Sequence, residues 1–249
     1  MANVSAFVNE PVVDFSKPEN AAAMRATLAK IAGELGREYD LVIGGVRHKT
    51  AGTIQSLNPT NPSQTVGIHH KAGHEQIEPA MQAALKAFAS WRFVSAAERA
   101  AWLFRVADLL RRRKFEFNAW LIYEVGKNWA EAEADTCEAI DFCELYARQA
   151  LQLDQAEPVV QLPGELDKLR YIPLGVGAVV PPWNFPLAIL CGMTVAAVVS
   201  GNTVILKPSS DSPTIAAKFF EVMEEAGLPP GVANFCPGSG ATFGDGVVQ

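Results

Sequence analysis

Apolar residues recur three and four positions apart through most of the first 150 residues, the spacing of one helix face. Met24, Leu28, Ile31 and Leu35 predict a helix over Ala21 to Tyr39, after an extended arm that holds Pro11 and Pro18. Gly73 to Trp91 reads as an amphipathic helix. Ser95 and Glu98 form a capping box that opens the next helix, to about Arg113. Further helices are predicted from about Phe115 to Val125 and from Trp129 to Leu153, with Gly126 as a left-handed stop between them. Two hairpins interrupt this pattern: Asp40 to Ile43 with Val46 to Ala51 around Gly44-Gly45, and Glu157 to Leu162 with Lys168 to Ile172 around Pro163-Gly164. Ser56 to Pro59 reads as a turn and Thr65 to His69 as a short strand.

After residue 173 the pattern changes. Short apolar runs at Gly175–Val180, Thr203–Leu206 and Val232–Cys236 alternate with helical stretches at Leu187–Val199, Ser212–Ala226 and Gly240 onward. Continuous apolar strands separated by helices predict a parallel, Rossmann-type sheet with crossover helices. The fold class is therefore α/β: a helical N-terminal region (1–156), a protruding hairpin (157–172) and a partial parallel sheet (173–249).

In such sheets ligands bind beyond the carboxyl ends of the strands. Three unusual segments fall there: Val180-Pro181-Pro182-Trp183-Asn184-Phe185-Pro186, then Lys207-Pro208-Ser209-Ser210, then Gly238-Ser239-Gly240 with Gly244. Singly, each has a plain reading: Asn184 as a turn residue, Lys207 as a surface cation, the glycines as turn chemistry. Together, in order and on consecutive strand ends, they describe a cofactor site.

Composition narrows the function classes. A net charge of −6 disfavours nucleic acid as a partner, and the single basic run, Arg111 to Lys114, reads as a solvated helix face. No stretch reaches the ~18 apolar residues needed to span a bilayer. Met1 to Glu10 shows no signal-peptide pattern. Cys137, Cys143, Cys191 and Cys236 form no CxxC pair and lack ligand-spaced histidines, so free thiols in the cytoplasm and no metal are expected.

PWNFP, LKPS and GLPPGVANFCPGSG resemble the motifs of the aldehyde dehydrogenase superfamily, and the resemblance runs over essentially the whole chain. It implies NAD or NADP as cofactor and a small aldehyde as substrate. It makes Asn184 the amide donor to the oxyanion formed when a Cys thiolate attacks the aldehyde, a role for which a buried, preorganised amide is expected. It places Lys207 at the adenosine ribose, with Val180, Pro181, Pro182, Trp183, Ser209, Ser210, Gly238, Gly240 and Gly244 around the cofactor. Many NAD-preferring relatives carry Glu at the position of Ser210, so Ser leaves room for a 2′-phosphate. SLNP at 56–59, YEVGKNW at 123–129 and EAIDF at 138–142 are similar to the 1-pyrroline-5-carboxylate dehydrogenase branch. That similarity puts Glu138 and Phe185 at a glutamate-semialdehyde site and implies a homo-oligomer. The family's nucleophilic Cys and general-base Glu lie further downstream than Gln249, and Cys191 reads as a structural thiol. The chain is thus expected to be the N-terminal part of such an enzyme, inactive alone. The alternatives are another aldehyde dehydrogenase or a noncatalytic nucleotide-binding module.

Overall fold

A computed structural model describes residues 4–155 and 159–247. The N-terminal arm is tied down by the backbone groups it offers. Glu10 donates its N–H to Asp141 (2.7 Å), Val13 donates to Glu133 (2.8 Å), and Lys114 Nζ donates to the Pro11 carbonyl (2.9 Å). Helix α1 (Pro18–Ala32) starts on a proline, whose missing N–H costs nothing there. It stops earlier than the apolar spacing suggests. Gly33 follows it, Gly36 takes φ 79°, and the chain turns into strand β1 (Arg37–Tyr39).

Strands β2 (Leu41–Ile43) and β3 (Val46–His48) form the expected hairpin. Gly44 and Gly45 both have positive φ, 61° and 82°, as a tight two-residue turn between twisted strands requires. Strands β4 (Thr53–Asn58) and β5 (Asn61–His70) pair antiparallel, so Ser56 to Asn58 is strand and not turn. The reversal falls later because Asn58 Oδ1 accepts the Thr60 N–H (3.0 Å). The three-stranded sheet has order β1-β5-β4.

The helical run is α2 (His74–Trp91), α3 (Ala96–Arg112), α4 (Lys114–Val125) and α5 (Trp129–Leu153). Ser95 Oγ accepts the Glu98 N–H, Asn128 Oδ1 accepts the Glu131 N–H, and Gly126 sits at φ 68°. The basic run is not a solvated face. Arg111 pairs with Glu10, Asp108 and Glu144, Arg113 with Glu116 and Glu225, and buried Lys114 with Glu10 and Glu133. Those carboxylates come from the arm, from α3 itself and from neighbouring helices, so Arg111, Arg113 and Lys114 brace these elements together while Arg112 stays exposed.

The proposed second hairpin lies partly outside the described residues. Over 159–172 the chain turns at Leu162–Glu165, with Gly164 at φ 88°, and Gln161 braces Asp167 through its side chain (2.8 Å). No strand ladder forms there among the described residues. An isolated two-stranded ribbon with no sheet beneath it is marginal in water.

The second sheet takes β6 (Val176–Val179), β7 (Thr203–Leu206) and β8 (Ala233–Phe235), linked by α6 (Ala188–Val199) and α7 (Pro213–Glu225) and followed by α8 (Gly240–Val247). These three strands are parallel, as expected, but the sheet is mixed. Its order is β3-β2-β8-β7-β6, because Val42 pairs antiparallel with Phe235 and the β2–β3 hairpin covers the edge of β8. Both faces are covered. Val204 and Leu206 belong to a core that includes Leu103, Phe117, Trp120, Ile140 and Phe219 from the helical layer. Ile205 points the other way, towards Ala80 and Ala84 of α2 and Phe243 of α8. Two-sided burial explains why β7 reads as an unbroken apolar run. Among the described residues no helix is long and apolar enough to cross a membrane.

Candidate cofactor and substrate site at the strand ends

The register of the parallel strands places the site. Val179 is opposite Leu206, and Leu206 is opposite Phe235. Neighbouring strands lie about 4.8 Å apart, so the three loops leave the sheet from one row spanning about 10 Å. The sequence-predicted segments are thereby brought together.

In the first loop Pro181 is buried, while Val180, Pro182, Trp183, Asn184 and Phe185 are exposed. The Asn184 amide was expected to be buried and is not. Pro186 and Leu187 sink into the core and anchor the turn from below, while Asn184 stays open to solvent. The turn is rigid without being enclosed. Asp135, wholly buried on α5, accepts the Ala188 N–H (2.7 Å) at the start of α6, and Ile189 donates to the Phe185 carbonyl (3.1 Å).

In the second loop Lys207 is buried rather than on the surface. Its N–H goes to the Val179 carbonyl (2.9 Å) and its Nζ to the Pro208 carbonyl (3.0 Å). Burial pulls its pKa below the ordinary lysine value. Ser209 is half-buried and accepts the Asp211 N–H (3.3 Å); Ser210 and Asp211 are exposed. A cavity of about 360 Å³ opens here, bordered by Ser56, Leu57, Glu124, Trp183, Ser210 and Asp211. A second cavity, about 260 Å³, lies against α7 beside Arg37, Arg47 and Glu224 and touches none of the three loops.

Sequence reasoning gave no role to Glu124, and the structure does. It is buried at the end of α4, where its carboxylate accepts the N–H groups of Thr214 (2.6 Å) and Ile215 (2.7 Å) and the hydroxyl of Ser56 (2.7 Å). It caps α7 in place of Ser212, whose side chain makes no cap bond. Burial pushes its carboxyl above the usual range, against the hydrogen bonds from Ile215, Ser56 and Thr214 that favour the charged form.

The third loop has two kinds of glycine. Gly238 is a packing glycine: a Cβ there would lie 3.2 Å from the Ala72 carbonyl, which sits across an isolated parallel bridge. Gly240 and Gly244, one turn apart on α8, face open space, with nothing within 4 Å of where a Cβ would stand. Side chains there would meet no part of the described protein but would fill the surface over the helix start. Bare backbone at a helix N-terminus, a cation in the neighbouring loop and an exposed indole fit a dinucleotide with its negative phosphates.

The candidate substrate residues also converge. Lys127 Nζ lies 4.3 Å over the Phe185 ring and 2.8 Å from Asp135 Oδ2. Glu138 is exposed on α5, one turn beyond Asp135. Partial burial and then the Asp135 charge push its carboxyl up, and Lys127 opposes this. The four cysteines are free and buried, and Cys191, 3.5 Å from Cys143 Sγ, is held far above its ordinary pKa first by burial. A grouping of metal-type ligands, Glu38, Asp40 and His70, lies on the β1–β5 sheet, where His70 Nε2 and Lys49 Nζ already pair with Glu38.

The aldehyde dehydrogenase family model matches residues 46–249. The chain is 53% identical over 246 residues to 1-pyrroline-5-carboxylate dehydrogenase of Geobacillus thermodenitrificans, covering 99% of this chain and 48% of that protein. Among solved structures it is similar to 1-pyrroline-5-carboxylate dehydrogenase from Thermus with bound NAD, at TM-score 0.95 and 48% identity, over 99% of this chain and 48% of that one. It is also similar to the NAD-bound Δ-pyrroline-5-carboxylate dehydrogenase from Mycobacterium tuberculosis, at TM-score 0.89 and 32% identity, over 98% and 46%. The chain spans about half the length of these relatives.

Proposed function

The chain belongs to the aldehyde dehydrogenase family, and we propose that it forms the N-terminal, cofactor-holding part of an NAD(P)-dependent 1-pyrroline-5-carboxylate dehydrogenase. The complete protein would oxidise L-glutamate 5-semialdehyde to L-glutamate in proline catabolism. The observation that carries this reading is the convergence of Asn184, Lys207 and the open Gly240–Gly244 surface on one strand-end row, with Glu138 and Phe185 gathered at its margin through Lys127 and Asp135.

In this reading Asn184 donates its side-chain N–H to the oxyanion of the attacked aldehyde. Lys207, Ser209 and Ser210 hold the adenosine ribose. Val180, Pro181, Pro182 and Trp183 border the cofactor on one side, and Gly238, Gly240 and Gly244 let the backbone approach it on the other. Glu138 pairs with the substrate ammonium or orders water around it, and Phe185 walls the aliphatic chain. Bound NAD or NADP supplies the hydride acceptor. Ser210, small and neutral, leaves the 2′ position open to either cofactor. None of the four buried cysteines is assigned as nucleophile: burial raises the thiols of Cys137, Cys191 and Cys236, and Cys143 is enclosed in the core, 3.5 Å from Cys191 Sγ.

The parts 1–156, 157–172 and 173–249 are read as helical layer, assembly arm and cofactor sheet. Exposed Val160, Leu166, Ile172 and Leu174 support a homo-oligomer that covers the arm. Four free thiols support a reducing, cytoplasmic setting.

The test is steady-state kinetics of the full-length protein with NAD and NADP, comparing glutamate semialdehyde with an unfunctionalised aldehyde of similar length. Glu138→Ala should lower kcat/KM for the semialdehyde at least about tenfold more than for the plain aldehyde, the loss of one charge-assisted contact. Equal losses would favour another aldehyde dehydrogenase. Cofactor binding without turnover of any aldehyde would favour a noncatalytic module.

A further inference from the structure

We propose that Asp135, acting with Lys127, is a positioning residue that couples the Asn184 turn to the substrate wall; the inference rests on the role assigned to Asn184 above. Helix α6 has no cap of its own. Its N-cap position is Leu187, which offers no side-chain acceptor, so the first N–H groups of the helix depend on another element. Asp135 meets that need from α5 through Oδ1, at 2.7 Å from the Ala188 nitrogen. Its Oδ2 lies 2.8 Å from Lys127 Nζ. Asp135 is wholly buried and the Lys127 side chain is only 10% exposed, so water cannot replace either partner cheaply.

The pair grips the turn twice. Asp135 holds its backbone end, four residues after Asn184. Lys127 holds its side-chain face, with Nζ 4.3 Å over the Phe185 ring. Between these holds Phe185 is fixed by the Ile189 N–H to its carbonyl (3.1 Å) and by buried Pro186. Asn184 and Phe185 are the exposed members of this braced segment. Asp135 also stands one turn before Glu138 on α5, so one ion pair references both the amide donor and the Glu138 carboxylate. A negative charge at the start of α6 is favourable to the helix dipole as well. Displacing an oxyanion donor by a fraction of an ångström is enough to lose much of its effect.

The experiment is a double-mutant cycle in the full-length enzyme with any aldehyde it turns over. Asp135→Asn keeps an acceptor for Ala188 but removes the charge that holds Lys127; Lys127→Met keeps the stem and removes the ammonium. Each should lower kcat at least tenfold while cofactor Kd changes less than twofold. In an Asn184→Ala background each should lower kcat less than threefold further, because the effect passes through that amide. Equal factors in both backgrounds, or an unchanged kcat in the single variants, would overturn the proposal. Hydrogen exchange over residues 184–189 decides it independently of turnover, and so separates its failure from failure of the functional reading. Lys127→Met should exchange at least fivefold faster in that segment, with the first turn of α7 unchanged. Unaltered exchange would overturn the coupling, whatever aldehyde the enzyme uses.

Discussion

Helices α6 and α7 start on caps supplied from a distance, whereas α8 starts on its own. Asp135 reaches Ala188 across 53 residues, and Glu124 reaches Thr214 and Ile215 across 90 and 91. Ser239, by contrast, accepts the N–H of Thr242 three residues on (3.1 Å). The first two strand-end loops are therefore fastened to the helical layer, and the layer's integrity sets their geometry. The third loop carries its cap with it and leaves Gly240 and Gly244 facing open space. A rigidly braced pair of loops after β6 and β7 and a more self-contained lip after β8 follow from that difference.

The comparison breaks most readily at Glu124. Replacing it by Ala leaves two buried N–H groups and a buried hydroxyl without acceptors, and should destabilise the protein by about 3 kcal/mol or more in denaturant titration. Glu124→Gln retains one acceptor and should cost roughly half as much. A loss below about 1 kcal/mol for Glu124→Ala would show that water or Ser212 can take over the cap.

His69 tests the same corner through pH. Its Nε2 shares a hydrogen bond with Thr214 Oγ1 (2.9 Å), and burial pushes its pKa down from 6.5 to about 3, with the Lys218 charge adding to the shift. The folded protein holds His69 neutral while the unfolded chain takes a proton near pH 6.5. Stability from this site is therefore complete above that pH and is lost as pH falls towards 3, by about 2 kcal/mol at pH 5. His69→Gln should flatten the fall in unfolding free energy between pH 7 and 5. An unchanged slope would place that pH dependence in other groups.

The smallest effect is expected at the self-capped helix. Ser239→Ala removes one local cap bond at a partly exposed site and should cost about 1 kcal/mol or less, read as faster hydrogen exchange confined to α8. If that substitution spread to the loops after β6 and β7, the three turns would form one unit and the contrast would fail.

Much of the architecture was legible because its causes are local. The Ser95–Glu98 box, the Gly126 stop and the Gly44-Gly45 turn each act over two to four residues, and the structure shows all of them. The alternation of apolar strands and helices after residue 173 located the parallel strands, and the three loop motifs fell on the row their register defines. Local signals misled where a partner lay elsewhere in the fold. Ser56 to Asn58 looks like a turn until β5 pairs with it, and residues 37–39 continue a helical spacing until the same strand draws them into a sheet.

What the sequence by itself determined is therefore most of the helices, the three parallel strands, their order and the three segments that carry the candidate chemistry. Tertiary structure alone decided how those segments are held and what surrounds them. It put the β2–β3 hairpin on the edge of β8, buried Lys207, left Asn184 exposed, and turned the Arg111–Lys114 run into braces. It also made caps of Glu124 and Asp135. The physical reason is range. Periodicity and capping read the energy of neighbouring residues, but a carboxylate within a helix looks solvent-facing until the folded chain carries a distant helix start to within hydrogen-bond reach of it.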